Sequence, residues 1–238
     1  MKTVLITGGS RGIGAACARL FAEKGWRVLV NYRNDDDAAD ALAGETGCEL
    51  FKADVSDRDA VYAMRDEIER RGFMPDVLIN NAGVALFGLF QYIEPEQADR
   101  MYGTNLFGTL NCTRAFLPSM VERKDGAVIN LSSVWGEVGA SCEVDYSTAK
   151  AAIVGFTKAL AKEVGFSGVR VNCLSPGVID TDMNASLTVA DVEAIVDSIP
   201  LERLGLAEDV AKAAYFLASD EAAYITGAVL PVDGGWKG

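Results

Sequence analysis

The stretch TGGSRGIG, residues 7–14, lies between a short apolar run and an alanine-rich segment with helical periodicity. Gly8, Gly12 and Gly14 fall close together here, although glycine disfavours both helices and strands. A strand, a glycine-rich turn and a helix N-terminus together can bind phosphate, because the backbone approaches an anion closely and free N–H groups face it. The spacing T-G-x-x-x-G-x-G differs from the G-x-G-x-x-G fingerprint, so a purely structural tight turn remains an alternative at this point.

The rest of the chain alternates strand-like and helical segments. Short runs rich in Val and Ile predict seven buried strands, at 3–7, 27–32, 48–54, 76–82, 126–133, 169–176 and 228–233. Helical patterns lie between them, at 12–24, 36–46, 57–71, 95–122, 145–165 and 208–219. This alternation predicts an α/β protein with a doubly wound, seven-stranded parallel sheet and helices on both faces. We expect one domain over residues 1–238, with residues 180–205, which interrupt the alternation, as a lid over a site.

Composition excludes several classes of function. The chain has 238 residues, a net charge of -12 and no histidine. The acidic surface should repel nucleic acid and anionic membranes, so we expect neither as a partner. The absence of histidine excludes a Ser-His-Asp triad and a His-ligated metal site, and we expect no metal.

The cysteines and the N-terminal residues predict the compartment. Five cysteines are widely spaced without a CxxC pair, which is typical of reduced thiols. The N-terminal residues MKTVLITGG lack a signal-peptide pattern, and no apolar run is long enough to span a membrane. We therefore expect a cytoplasmic protein.

The end of the second predicted strand, VNYRN, bears on the choice of nucleotide. An NAD site usually places a carboxylate there to bind the ribose hydroxyls, whereas this chain has Tyr32 and Arg33. Arg11, in the glycine turn, can reach the same pocket, and two guanidinium groups suit the 2′-phosphate of NADP. We therefore expect NADP(H) as the cofactor. The run 35–37, three aspartates, is interpreted as negative charge at the start of the next helix.

Tyr146 and Lys150, in DYSTAK, are four residues apart and share one face of a predicted helix. Reduction of a ketone needs a proton at oxygen while hydride reaches carbon, and a nearby ammonium group favours ionisation of a tyrosine. The pair alone is a weak signal. However, Ser133 ends the fifth predicted strand and Asn105 lies in the helix after the fourth. Open α/β sheets bind their ligands at this edge.

Together these motifs resemble the short-chain dehydrogenase/reductase family, a group of single-domain Rossmann-fold oxidoreductases, over essentially the whole chain. The matching stretches are TGGSRGIG, ADVSD, NNAG and SPGVIDTDM, with Asn105, Ser133 and Tyr146-x-x-x-Lys150. The resemblance implies that Tyr146 donates the proton and Ser133 binds the substrate carbonyl. It also implies that Lys150 binds the nicotinamide ribose and lowers the tyrosine pKa, and that Asn105 holds a water in a proton relay.

The resemblance further assigns cofactor contacts to the glycine turn, to the ends of the next strands and to the loop after the sixth strand. The positions are Thr7, Gly8, Ser10, Arg11, Gly12, Ile13, Gly14, Tyr32, Arg33, Asp54, Val55, Asn80, Ala82, Gly83, Tyr146, Lys150, Pro176, Gly177, Ile179 and Thr181. It also implies a homotetramer, with the helices at 95–122 and 145–165 packed between subunits.

The substrate is less well defined by the sequence. SRGIG, NNAG, PGVIDTDM and ITGAVLPVDGG are similar to 3-oxoacyl-[acyl-carrier-protein] reductases, which implies a 3-oxoacyl thioester as the substrate. The loop SSVWGEVGASCEVDYS instead looks like that of 5-aminopentanone reductases, which act on a modified lysine of elongation factor P. We assign Trp135, Cys142 and Glu143 to the substrate pocket. Carboxylates there favour a cationic substrate, although solvated loop charges explain them equally well.

A third hypothesis is a non-catalytic, NADP-binding regulatory protein. Relatives of that kind usually lack part of the catalytic set. Asn105, Ser133, Tyr146 and Lys150 are all present here, so the sequence favours an enzyme.

Overall fold

A parallel sheet forms the centre of the protein, for which a computed structural model describes residues 1–185 and 187–237. The strands are β1 (Thr3–Ile6), β2 (Arg27–Tyr32), β3 (Glu49–Lys52), β4 (Val77–Asn80), β5 (Gly126–Leu131), β6 (Val169–Pro176), β7 (Ile179–Asp180), β8 (Gly205–Leu206) and β9 (Val229–Val232). Seven of them are parallel in the order β3-β2-β1-β4-β5-β6-β9, while β7 pairs with β8 alone. The predicted seven-stranded parallel sheet is confirmed. Its order reverses between β1 and β4, which opens a crevice at the carboxyl edge.

Helices cover both faces of the sheet. They are α1 (Gly12–Glu23), α2 (Asp36–Thr46), α3 (Arg58–Arg70), α4 (Pro95–Tyr102), α5 (Gly108–Arg123), α6 (Trp135–Val138), α7 (Val144–Val164), α8 (Val189–Ser198) and α9 (Ala207–Ala218). Val4 and Ile6 pack with α1, α2 and α9, whereas Leu5 packs with α3, α5 and α7. Successive side chains of a strand point to opposite faces, so a continuous apolar run supplies two cores.

The predicted single helix over 95–122 is wrong in one respect. Residues Gly103–Phe107 form a π-helical turn between α4 and α5, and Asn105 is buried within it. A π turn inserts an extra residue without interrupting the apolar pattern, which is why periodicity alone does not show it.

The segment 180–205 contains β7, a short 3₁₀ turn at Asp182–Asn184, α8 and the start of β8. Ser186, which belongs to the predicted lid, lies outside the described residues. Within residues 1–185 and 187–237, no helix combines the length and apolar character needed to cross a membrane.

Candidate active site

The glycine turn between β1 and α1 leaves no room for a side chain at Gly8 or Gly14. A Cβ atom on Gly8 would lie 2.8 Å from Ala82 Cα, and one on Gly14 would lie 2.5 Å from the Gly8 carbonyl oxygen. Helix α1 then begins after Arg11, whose side chain does not cap it, and its first turn carries no acidic residue. Its N-terminal N–H groups are therefore free to face an anion, so the turn fits a phosphate-bearing cofactor.

A hydrogen-bonded clamp joins the glycine turn to the loop after β4. The Thr7 hydroxyl accepts from the backbone N–H groups of Asn81 and Ala82, both at 3.0 Å. The Asn81 amide donates to the carbonyls of Thr7 and Gly8 at 3.0 and 2.9 Å. Thr7 is only 2% exposed, so its side chain positions the turn and is not open to a cofactor. Asn81 was missed by the sequence analysis, although it lies in the quoted NNAG.

Asn80 is also buried, at 2% exposure. Its amide nitrogen donates to Thr113 Oγ1 at 3.0 Å and to Asn130 Oδ1 at 2.9 Å. Asn130 in turn donates to Thr157 Oγ1 at 2.9 Å. These hydrogen bonds connect β4 and β5 to α5 and α7. The Asn80 side chain therefore stabilises the strands and helices that carry the site.

The two arginines assigned to the 2′-phosphate lie at adjacent loops of the carboxyl edge. Arg11 Nε is 3.4 Å from Asp35, and Arg33 donates to Asp54 at 3.1 Å. Both arginine side chains are more than half exposed, so these ion pairs are weak and open to exchange with a phosphate. Asp35 also accepts from the Ala38 N–H, which confirms the interpretation of this residue as a helix start.

Other predicted cofactor positions surround this crevice, and the structure brings most of them together. Tyr32 ends β2, and its hydroxyl donates to Asp36 at 2.9 Å. Thr181 Cγ2 would lie 3.5 Å from a Cβ atom on Gly12, so the loop after β6 approaches the glycine turn. The remaining positions in this region are Ser10, Ile13, Val55, Gly83, Pro176, Gly177 and Ile179, of which Val55, Pro176 and Ile179 are buried.

Ser133, Tyr146 and Lys150 meet at the carboxyl edge of β5, and all three are buried. Lys150 Nζ donates to the Leu131 carbonyl at 2.9 Å and lies 5.6 Å from the centre of the Tyr146 ring. The backbone N–H of Trp135 donates to Ser133 Oγ at 3.2 Å. These contacts hold a hydroxyl, a phenol and an amine around one point, as the sequence predicted.

Burial dominates the titration of this cluster. It raises the pKa of Tyr146 to about 12; the charge of Glu143 adds to this increase, and a hydrogen bond from the Ser133 hydroxyl opposes it. Burial also lowers the pKa of Lys150 to about 8. The expected lowering of the tyrosine pKa by Lys150 does not contribute to this direction, which burial of the phenol sets. Tyr146 is therefore protonated at neutral pH and has a proton to donate.

Asn105 bonds to the loop after β4 through its side-chain amide. Its Oδ1 accepts from the Val84 N–H at 2.8 Å, and its Nδ2 donates to the Val84 carbonyl at 2.9 Å. These bonds use one of the two amide hydrogens and one of the two lone pairs of Oδ1, so the side-chain amide keeps further hydrogen-bonding capacity. It fixes the loop after β4 against the π turn, beside Gly83.

The predicted substrate-pocket residues lie on one loop beside Tyr146. Glu143 is half-buried, and burial raises the pKa of its carboxyl while the Trp135 side chain lowers it. Cys142 has a left-handed backbone, with φ of 63°, and its carbonyl accepts from the Gly88 N–H at 2.8 Å. Asp145 instead accepts from the Tyr102 hydroxyl at 3.0 Å. Glu143 is thus the carboxylate of this loop that acts on the catalytic tyrosine.

Comparisons with known proteins agree with this geometry. Residues 8–237 match the family described as enoyl-(acyl carrier protein) reductase. The chain is 43% identical, over 98% of its length and 96% of the relative, to the 3-oxoacyl-[acyl-carrier-protein] reductase FabG of Chlamydia trachomatis serovar D. It is 39% identical, over 98% of both proteins, to the acetoacetyl-CoA reductase of Shinella zoogloeoides. The crystal structure of a 3-oxoacyl-[acyl-carrier protein] reductase from Brucella melitensis is similar with a TM-score of 0.92 and 36% identity, covering all of this chain and 91% of that one.

Proposed function

The chain belongs to the short-chain dehydrogenase/reductase family of oxidoreductases, and we propose that it is an NADPH-dependent reductase of 3-oxoacyl thioesters. The observation that carries the proposal is the buried cluster of Ser133, Tyr146 and Lys150 at the carboxyl edge of β5. This cluster lies at the same sheet edge as a glycine turn that fits a nucleotide phosphate. A proton donor and a cofactor cradle on one edge are the parts that carbonyl reduction requires.

The chain's residues suggest how a nicotinamide cofactor is held. The free N–H groups at the start of α1 would bind its pyrophosphate, and Arg11 and Arg33 would bind a 2′-phosphate by releasing Asp35 and Asp54. Because only NADPH carries a 2′-phosphate, the two arginines support NADPH over NADH as the cofactor. When bound, the cofactor supplies the hydride.

Each catalytic side chain has a separate task. Tyr146 is protonated at neutral pH and donates to the carbonyl oxygen as negative charge develops there. Ser133, oriented by the Trp135 N–H, donates to the same oxygen and lowers the energy of the developing oxyanion. Lys150 is held in place by the Leu131 carbonyl, and its ammonium form favours the phenolate that remains after proton transfer.

The substrate class rests on two named relatives. One acts on 3-oxoacyl groups of an acyl-carrier protein, and the other acts on acetoacetyl-CoA. Both substrates are β-keto thioesters, which supports that class here. We also infer a single domain over 1–238, a cytoplasmic location and a homotetramer built on the helices at 95–122 and 145–165. Phe107, 54% exposed between α4 and α5, is an apolar side chain that such packing would cover.

One observation favours a second substrate. Glu143 is half-buried beside Tyr146, and no cationic side chain contributes to the pKa of its carboxyl. A carboxylate with no cationic partner among residues 1–185 and 187–237 would attract an amine-bearing ketone, such as a 5-aminopentanone group on elongation factor P. Carbonyl reduction would be the same, and only the recognition of the substrate would differ.

The test is NADPH oxidation with acetoacetyl-CoA by the wild type, Glu143→Gln and Asp145→Asn. Asp145 is the matched control because its carboxylate already accepts from Tyr102. The proposal predicts robust turnover that Glu143→Gln leaves unchanged or improves. Negligible wild-type turnover, with activity on an amine-bearing ketone that Glu143→Gln abolishes, would replace the thioester by the second substrate.

A further inference from the structure

The C-terminal residues 233–237, here called the C-terminal clamp, pack against three parts of the site. The clamp turns back on itself, since the Trp236 N–H donates to the Asp233 carbonyl at 3.1 Å and the Gly235 N–H donates to the Asp233 carboxylate at 2.9 Å. A Cβ atom on Gly177 would lie 2.9 Å from Asp233 Cα, so the clamp also touches the loop after β6. The fold therefore brings the end of the chain to the crevice.

The clamp grips the base of the segment 180–205, which we treat as a lid. The Gly234 carbonyl accepts from the Leu201 N–H at 3.2 Å, and a Cβ atom on Gly234 would lie 2.9 Å from Ile199 Cγ2. The Trp236 indole N–H donates to Ser198 Oγ at 2.9 Å, at the last residue of α8. Both the backbone and the side chain of the clamp therefore hold the same end of α8.

The other side of Trp236 contacts the loop at residues 132–147, here called the substrate loop. Its ring packs edge-on against that of Trp135, with centroids 4.9 Å apart and planes at 61°. The backbone N–H of Trp135 orients Ser133 Oγ, and the Trp135 side chain affects the pKa of Glu143. Trp236 therefore contacts Trp135, and Trp135 in turn interacts with both the Ser133 hydroxyl and the Glu143 carboxylate.

These contacts form an apolar cluster of their own. Val134, Ile199 and Trp236 are buried in it, and Trp135, Val178, Ile195 and Leu204 pack around them. The cluster is separate from the two cores that flank the sheet. Its members come from the substrate loop, the loop after β6, the lid and the clamp, so its packing bears on how these segments move relative to each other.

We propose that Trp236 is a positioning residue that couples the lid to Ser133 through Trp135. When the lid base lies against Trp236, the indole ring supports Trp135, and the Trp135 N–H then aims the serine hydroxyl at the substrate oxygen. When the lid base moves, Trp236 moves with Ser198, and that support is withdrawn. The catalytic part of this inference rests on the proposed carbonyl reduction, whereas the mechanical coupling does not.

The test compares Trp236→Ala and Trp236→Phe with Trp26→Phe. Trp26 is the matched control because it also packs edge-on, against Phe21 at 5.1 Å, but in the core around α1. For each variant we would measure hydrogen exchange over residues 187–204 and 134–143, the NADPH dissociation constant, and kcat and KM for the ketone.

Trp236→Ala should speed exchange in both segments and lower kcat/KM by roughly tenfold to a hundredfold, since small misplacements of reacting groups have effects of that size. The NADPH dissociation constant should stay within about twofold, because the phosphate site lies on other loops. Trp236→Phe keeps the ring packing and loses the bond to Ser198, so it should recover most of kcat/KM while exchange at 187–204 stays fast. Trp26→Phe should leave the exchange in both segments, the NADPH dissociation constant and kcat/KM unchanged.

Two results would overturn the coupling. One is exchange in Trp236→Ala that rises at 187–204 alone and leaves 134–143 unchanged. The other is a change in thermal stability with exchange in both segments and kcat/KM as in wild type. The exchange measurement needs no turnover, so an absence of activity on thioesters would contradict the proposed substrate and leave the coupling to be judged by exchange. If Trp236→Ala does not fold, Trp236→Leu, which also removes the ring contact with Trp135 but fills more of the apolar cluster, is measured over 187–204 and 134–143 and decides the same question.

Discussion

Replacing Lys150 by Met should inactivate the enzyme and yet stabilise the cofactor-free protein. The Lys150 side chain is buried, and burial lowers its pKa from the ordinary 10.5 to about 8. Folding therefore carries an ammonium group out of water at neutral pH, which costs free energy that a methionine of similar length avoids. The residue is retained for the reaction at the expense of stability.

The size of this effect follows from the two pKa values. The difference between 10.5 and about 8 corresponds to roughly 3 kcal/mol, at ~1.36 kcal/mol per pH unit. Lys150→Met also loses the bond from the charged Nζ to the Leu131 carbonyl, worth about 1.5 kcal/mol. The variant should therefore be more stable than wild type at pH 7 by about 2 kcal/mol.

The sign of the pH dependence is fixed by the direction of the shift. Between pH 8 and 10.5 the unfolded state binds more protons at this lysine than the folded state, so the wild type gains stability from Lys150 as pH rises. The advantage of the variant should thus shrink through this window. Titration of the other buried cysteines is common to both proteins and largely cancels in the difference, whereas the Lys150 charge lowers the pKa of Cys173 in the wild type alone.

Urea unfolding of the cofactor-free proteins at a fixed concentration and at several pH values from 7 to 10 measures this difference. Lys158→Met, at an exposed position of the same helix, is the control and should change the free energy of unfolding little. A Lys150→Met protein that is no more stable than wild type at pH 7 would refute the reasoning. So would a stability difference that is constant with pH.

Three further predictions follow from the site. Tyr146→Phe should abolish ketone reduction and leave NADPH binding intact in a fluorescence titration, and near-wild-type turnover would defeat its role as the proton donor. Arg33→Ala should weaken NADPH binding by roughly tenfold, the loss of one charge-assisted bond, and leave NADH binding unchanged; an unaltered preference for NADPH would contradict the assignment. Thr7→Val leaves the Ala82 N–H without its acceptor, while the Asn81 N–H keeps the Ile79 carbonyl, so it should lower the free energy of unfolding by about 1–3 kcal/mol, whereas Thr7→Ser should cost far less in the same urea experiment.

The strands could be predicted well because each is buried on both faces. A strand such as VLIN in β4 is a continuous apolar run for that reason, and its ends lie where polar residues begin. The helices from 95 to 123 could be predicted only in outline. The π turn at Gly103–Phe107 contains one buried amide, Asn105, which bonds to the backbone of Val84, and that bond joins residues 21 positions apart.

In the candidate site, too, some features could be predicted from the sequence and others could not. Ser133, Tyr146 and Lys150 could be identified because the carboxyl ends of parallel strands lie at one edge, so order in the sequence maps onto position in space. The roles of Thr7, Asn80 and Asn81 could not be separated in this way. Two consecutive asparagines point in different directions, and only the surrounding helices decide that Asn80 is enclosed and that Asn81 reaches the glycine turn.

The sequence by itself determined the fold class and the glycine turn, because alternating local patterns and short-range spacing specify them. Its resemblance to a known family is what proposed Ser133, Tyr146 and Lys150 as a catalytic cluster. Only the tertiary structure decided the charge states and the supports of the site. The pKa values of Tyr146 and Lys150 depend on how much water the folded chain removes from them. The packing of Trp236 on Trp135 joins residues a hundred positions apart, and nothing local in the chain specifies such a contact before the sheet, lid and C-terminus assemble.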